Sequence, residues 1–288
     1  MKAIYKRELK SYFNSMIGYI FIAFFVAFMG FYFMAYNLYN GYPYFSYTLS
    51  ATITIMLIAV PILTMKSFAE DRKTKTDQLL LTAPVSVTQI VLGKYLAMVT
   101  VFLIPMLISC ICPLIIKANG QAYLLTDYST ILAFFLMGCI FIAIGMFISA
   151  LTESQIIAAV GTFGILFVLC LWSDLITFLP SSSGGTVAGI LIFITALALI
   201  IWGMTKNWFM AAIVEAVGCA VFLLLYIIDD SVFQNGLSAI LSRIDIRNAF
   251  NNFASNNIFD ITGLIFYLSM SFIFVFLTVQ VLLKRRWS

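Results

Sequence analysis

Long apolar runs separated by short polar breaks dominate this chain. A bilayer-spanning helix needs about 20 mostly apolar residues, and eight stretches meet that requirement: 17–37, 51–67, 94–116, 129–150, 155–178, 187–204, 208–228 and 262–283. The breaks are Asn40-Gly41-Tyr42-Pro43, a charged island beginning at Glu70, Lys117-Ala118-Asn119-Gly120 and Thr152-Glu153-Ser154. They continue with Pro180 to Gly185, Lys206-Asn207 and a polar stretch from Asp229 to Asp260. The pattern predicts an all-α polytopic membrane protein of about eight transmembrane helices. The pair 187–204 and 208–228 has a short linker and reads equally as two spans or as a re-entrant hairpin. The run from Met16 to Phe33 is too long for a signal-peptide core and meets no small-residue cleavage site, so it is expected to remain as the first span.

Orientation follows from Lys and Arg. With both termini inside, thirteen basic residues fall on the cytoplasmic side and only Lys117, Arg243 and Arg247 on the outer side, a strong positive-inside bias. The charged island is then cytoplasmic and residues 229–261 lie outside.

Composition agrees with this picture. The chain is 63% apolar and 10% charged, with mean hydropathy +1.06, whereas soluble domains are about 45–50% apolar. The net charge of +4 sits at the ends of apolar runs, which argues against a nucleic-acid partner. Cys110, Cys112, Cys139, Cys170 and Cys219 all fall within apolar runs, without redox or zinc spacing, and read as packing residues. With no His in the chain, the commonest metal ligand and general base is missing. No metal site is expected.

Residues 1–16 predict an amphipathic interfacial helix. Ile4, Leu9, Tyr12, Phe13 and Met16 share a broad apolar face, and Lys6, Arg7 and Lys10 are directed to water near anionic headgroups. The cytoplasmic segment 68–92 carries Glu70, Asp71, Arg72, Lys73, Lys75 and Asp77, which cannot lie in hydrocarbon. A helix is expected to continue out of the membrane through Phe68 to Arg72. Thr76 then caps a fresh short helix with Asp77 at its positive end. Leu79, Leu80 and Leu81 form an apolar tip, and Pro84 ends the helix. Ser86-Val87-Thr88-Gln89 reads as a capping box launching the third span. Leucines exposed on a short helix beyond the membrane suit docking into a partner's groove; a loop folded on its own membrane domain is the alternative.

Glu215 is an acid inside an apolar run, about 10 Å from Trp208 at 1.5 Å per residue. It is a functional candidate as a proton site or substrate contact, or else a protonated packing residue. Asp174 is expected to reach water at the end of its span. Gly138, Gly145, Ser149, Ala158 and Gly161 make small-residue faces for close helix packing. In the outer segment Leu237, Ile240, Leu241 and Ile244 follow helical i, i+3, i+4, i+7 spacing, which predicts an amphipathic helix on the outer leaflet or a lid.

Several motifs together resemble the type-2 ABC transporter permeases, and within them the gliding-motility-associated branch. They are Lys6-Arg7-Glu8-Leu9-Lys10-Ser11-Tyr12-Phe13, Pro61 through Arg72, Asp77-Gln78-Leu79-Leu80-Leu81-Thr82-Ala83-Pro84-Val85-Ser86, Gln89 to Lys94, Gly145 to Gln155 and Lys284-Arg285-Arg286-Trp287. The resemblance covers residues 1–178 and the last span. It implies a membrane subunit of a bacterial cell-membrane exporter, coupled to a separate ATPase through the helix after the second span. Glu70, Asp71, Arg72, Thr76, Asp77, Leu79, Leu80, Leu81 and Pro84 would carry that contact, with Glu153 in a smaller second one. The partners implied are the ABC ATPase subunit, a second copy or related permease, the lipid bilayer and an accessory outer-face membrane protein. ATP and Mg would bind the ATPase, with no cofactor on this chain. The chain departs from the family in having Lys75-Thr76-Asp77 where a Gly-Thr-Glu-like step is usual. It departs again in residues 181–228, which read as a two-span insertion beyond the usual six.

No GxxxxGK[ST] phosphate loop is present, Gly93-Lys94 lacking the upstream Gly, and GxSxG and HExxH are absent. The chain is therefore not expected to be an enzyme itself. Against the permease reading stand an ion-coupled secondary carrier using Glu215 and a non-catalytic membrane scaffold. The spans carry no sugar or metal signature, and the expected role is movement of a lipid-like or amphipathic cargo, or mechanical use of ATP on another membrane protein.

Overall fold

A computed structural model describes residues 1–76, 85–178 and 241–287, together with Gly184, Gly185, Thr195 and Ser238. Among the described residues the secondary structure is helical, with no strand. The chain divides into two units, residues 1–169 with 249–288, and residues 170–248.

The first unit is a bundle of apolar helices. The amphipathic helix α1 (Lys2–Asn14) precedes α2 (Ile17–Phe33), which continues as a π-helical turn through Met34–Tyr39. Then come α3 (Ser46–Thr64), a five-residue α4 (Ala69–Lys73), α5 (Val87–Ser109) and α6 (Cys112–Asn119). Next are α7 (Leu124–Leu151) and α8 (Gln155–Cys170), then α9 (Trp172–Thr177) of the second unit, and finally α10 (Ile246–Ala254) and α11 (Ile261–Trp287).

Among the described residues five stretches are long and apolar enough to cross a membrane: Ile17–Tyr39, Ser46–Lys73, Val87–Asn119, Leu124–Leu151 and Ile261–Lys284. They match five of the eight runs in the sequence. The fifth run, 155–178, is broken at Leu171 into α8 and α9. The runs 187–204 and 208–228, with Glu215, lie outside the described residues except for Thr195.

The central element is α7. It packs against α3, α5 and α11, and small residues make this possible. A side chain added at Gly138 would meet the Phe102 ring at 2.2 Å, and one at Gly145 the Thr64 hydroxyl at 2.3 Å. Lipid tails are as apolar as Leu, so spanning helices gain by close contact more than by leaving water. Phe25, Phe102 and Phe134 fill the remaining space between α2, α5 and α7. The Phe25 and Phe102 rings meet edge to face at 5.7 Å, the arrangement their quadrupoles favour.

At the end of the bundle away from α1, Asn37 ties down the loop between α2 and α3. Its amide donates to the Tyr42 and Tyr44 carbonyls at 2.8 and 2.9 Å, and its oxygen accepts from Thr48 at 2.7 Å. Of the stripe expected from Leu237 to Ile244, Leu241 is helical and half-buried. Ile244 lies in a turn and is exposed, while Leu237 and Ile240 lie outside the described residues. The described amphipathic helix is α10, which buries Ile246, Phe250 and Phe253. Phe250 packs on Phe134 at 5.9 Å. The helix begins where it does because Asp245 Oδ1 accepts from the Arg247 and Asn248 amides at 2.9 and 3.2 Å, so an N-cap fixes the register.

The second unit contains α9. There the Trp172 indole donates to the Leu241 carbonyl at 3.1 Å, and Ser173 donates to Asp245. Asp174 is exposed, as expected, and stands 3.7 Å from the Arg247 guanidinium.

Candidate functional site: a buried lysine at the base of the 70–84 segment

The residues with the most charge chemistry gather where α1, the exit of α3 and the start of α5 meet. Ser86 caps α5, its hydroxyl accepting the Gln89 N–H at 3.4 Å, as the capping box predicts. This cap starts α5 at Val87 and places Lys94 two turns in, on its buried side.

Lys94 is 2% exposed. Its ammonium lies 3.1 Å from Glu8 Oε2 and 2.8 Å from Asp71 Oδ2, with the Phe68 ring centroid at 5.2 Å. One buried cation is thus shared by carboxylates from α1 and α4. Glu8 also accepts from Arg7 at 2.6 Å, and Asp71 Oδ1 accepts from the Thr76 hydroxyl at 3.2 Å. A buried lysine needs such company, because an unpaired charge out of water is very costly.

Close approach of α1 to α5 makes the arrangement possible. A side chain at Gly93 would stand 3.0 Å from Ile4 Cγ2 and 3.4 Å from the Tyr5 nitrogen. The Tyr5 hydroxyl bonds Thr100 at 3.0 Å, and Tyr12 donates to the Leu63 carbonyl at 3.2 Å. Burial, with Glu8, Glu70 and Asp71 nearby, holds the Tyr12 phenol above its ordinary pKa and keeps it a donor. The apolar face of α1 therefore packs largely on the protein's own helices, although Met16 is exposed with φ 58°.

The exit of α3 is fastened to α7 as well. The expected continuous helix is broken at Met65–Phe68, and Ser149 repairs the break. Its hydroxyl donates to the Met65 carbonyl at 3.2 Å and accepts the Phe68 and Ala69 amides, each at 3.1 Å. Arg72, buried, donates to the Ala150 carbonyl. The chain then reverses at Lys75, φ 59°, whose amide bonds the Arg72 carbonyl at 3.0 Å. A left-handed residue just past the last turn ends a helix in this way.

The structure thus separates the residues that the sequence grouped. Asp71 and Arg72 point inward and hold the segment's base. Glu70 is partly exposed, 3.8 Å from Lys66, and Glu153 is exposed in the turn after α7. Thr76 is exposed but bonded back to Asp71. Asp77, Leu79, Leu80, Leu81 and Pro84 lie outside the described residues, as does Glu215. A polar cavity of about 370 Å³ lies between α1 and residues 66–76, lined among others by Ser11, Tyr12, Lys66, Ser67 and Glu70.

Sequence reasoning missed the roles of Glu8 and Lys94. Lys94 lies eight residues into a strongly apolar helix, and Glu8 is the acid in a basic amphipathic turn. Reading the two as a pair would have found the contact. Among the described residues no cluster of His, Cys, Asp and Glu has the makings of a metal site, and Cys110, Cys112, Cys139 and Cys170 are free thiols.

An all-helical bundle with several membrane-crossing helices and charge confined to its ends defines a multi-pass membrane protein. A family model described as ABC-2 family transporter protein matches residues 2–286, and the chain belongs to that family. It is accordingly a permease subunit of an ABC transporter. No curated protein matches the sequence.

Proposed function

We propose that the chain is the permease of an exporter driven by a separate ABC ATPase, which docks on residues 70–84 from the cytoplasmic side. The observation that most supports this is the anchoring of the segment's base. Arg72 on Ala150, Ser149 on Phe68 and Ala69, and Asp71 on Lys94 join it to two helices, α7 and α5. A docking element that transmits force needs such a footing. Glu70, Thr76, Asp77, Leu79, Leu80, Leu81 and Pro84 make the contact in this reading, with Glu153 beside it. Asp71 and Arg72 position the segment. ATP and Mg bind the ATPase, whose hydrolysis powers the cycle.

The same reading places both termini and α1 in the cytoplasm, on the count of thirteen basic residues against three. It places the protein in a bacterial cell membrane beside a second copy or related permease, in the gliding-motility-associated branch, with an amphipathic cargo.

The test is co-purification with the cognate ATPase. Replacing Leu79, Leu80 and Leu81 together by Ser is expected to abolish it, and Glu70→Lys to weaken it. Asp71 is not a suitable probe, because reversing its charge would disrupt the Lys94 pair inside the protein. Unchanged ATPase binding and stimulation in the triple-Ser variant would sink the docking assignment.

A further inference from the structure

We infer that the polar cavity between α1 and residues 66–76 receives the headgroup of a zwitterionic aminophospholipid. Its phosphate lies among Arg7, Ser11, Lys66 and Ser67, and its ammonium at Glu70. The cavity is built by residues 7–15, 66–76 and Lys94 alone, so its assignment stands whether or not the ATPase docks nearby.

The charge of the lining selects the ligand. Three cations, Arg7, Lys66 and Lys94, and three carboxylates, Glu8, Glu70 and Asp71, surround about 370 Å³. Lys94 is committed to Glu8 and Asp71, at 3.1 and 2.8 Å. The adjustable groups are the exposed Arg7 and the looser pair Lys66–Glu70, at 3.8 Å. A ligand of net charge would meet like charge on half of this lining, which is unfavourable. A zwitterion matches both halves, and the volume falls in the small-ligand range of about 300–1,000 Å³. A primary ammonium suits Glu70 better than a quaternary one, because it donates hydrogen bonds to the carboxylate.

Ser67 adds a donor. It is 3% exposed and lines the cavity, and its hydroxyl has no hydrogen-bond partner among the described residues. A hydroxyl out of water without a partner is costly, and a phosphate oxygen in the cavity supplies the acceptor. On the opposite wall Arg7, Ser11 and Ser15 follow i, i+4, i+8 spacing along α1 and its cap, which puts them on one side. Depth in the membrane decides where the phosphoester comes from. Ser15 stands just before the first crossing stretch, which starts at Ile17, and Lys66 just after α3 ends at Thr64. Both walls are thus at headgroup level, where Lys and Arg meet lipid phosphates. Beyond Ser15 the exposed Met16, Tyr19 and Ile20 offer an apolar surface to acyl chains. A soluble phosphoester has nothing to place there.

The test uses the full-length permease in nanodiscs of equal parts phosphatidylethanolamine, phosphatidylglycerol and phosphatidylcholine, with retained lipid read by native mass spectrometry. The wild type is expected to keep phosphatidylethanolamine over each of the others by roughly fivefold or more, the effect of a charge-assisted hydrogen bond. Ser67→Ala removes no hydrogen bond among the described residues and is expected to lower that retention about threefold. Lys66→Met/Glu70→Gln removes both halves of an ion pair that is partly in water and is expected to erase the preference. Neither variant strands a buried charge, so both should melt with the wild type in lipid-free detergent. Loss of the lipid-dependent rise in melting temperature then reports binding and not folding. O-Phosphoethanolamine, the headgroup without chains, is expected to give no such rise at the same concentration. Equal retention of the three lipids by the wild type, a preference for phosphatidylglycerol, or a preference that survives both variants overturns the inference. A rise from O-phosphoethanolamine equal to that from the lipid overturns the membrane as the source.

Discussion

Asp127 is wholly enclosed near the start of α7, with Oδ1 accepting the Phe45 N–H at 2.8 Å and Oδ2 without a hydrogen-bond partner among the described residues. What the fold takes from this residue is one acceptor, so Asp127→Asn should be milder than Asp127→Ala. The latter leaves the Phe45 amide unpaired at a cost of about 1–3 kcal/mol. Ser149→Ala should lose a similar amount, since it strands the amides of Phe68 and Ala69, both buried. Both losses are measurable as lowered resistance to unfolding in detergent. Lys94→Met alone should be worse, about 3–5 kcal/mol, because two carboxylates lose their counter-charge. The sequence contains each of these residues in plain view but does not say which of them are enclosed. Asp127 lies just before the fourth span expected from residue 129, whereas α7 begins at Leu124 and encloses it. Glu215, an obvious candidate by position in the chain, gains no support from the described residues.

At the scale of elements, the helix ends decide the geometry. Asp260 precedes α11, accepts from Asn252 at 2.9 Å and is bonded by the Thr262 and Gly263 amides. The Asn252 hydrogen bond, followed by those amides, holds its pKa below the ordinary carboxylate value. A carboxyl whose folded pKa is depressed adds stability above its unfolded pKa and loses that contribution as pH falls through the folded one. Acid should therefore selectively weaken the start of α11, seen as faster amide exchange in its first turn below the ordinary carboxylate range. Asp260→Ala should produce that loss at neutral pH, costing about 1 kcal/mol. Capping of α5 by Ser86 was legible because both partners lie within one turn. The break between α3 and α4 was not, because the group that satisfies its amides comes from Ser149, some 80 residues away in sequence.

For the whole molecule, α7 is the axis on which the bundle is assembled, and its glycines set how near the neighbours come. Gly138→Val should be poorly tolerated, costing about 1–3 kcal/mol or more, since the Phe102 ring in its path is itself fully buried. Reduced yield of folded protein and a lowered melting temperature in detergent would check this, with Gly164→Val, which meets nothing within 4 Å, as the tolerant control. The sequence by itself determined the class. Helix content and the five membrane-crossing stretches among the described residues follow from the demand that backbone groups in lipid be satisfied within each helix, which is a local property of the chain. The small residues at Gly138 and Gly145 were likewise readable as close-packing faces. Only the tertiary structure decided which charges are bonded inside and which remain exposed. Glu8, Asp71 and Lys94 are far apart in sequence, and a buried ion pair depends on where three helices cross.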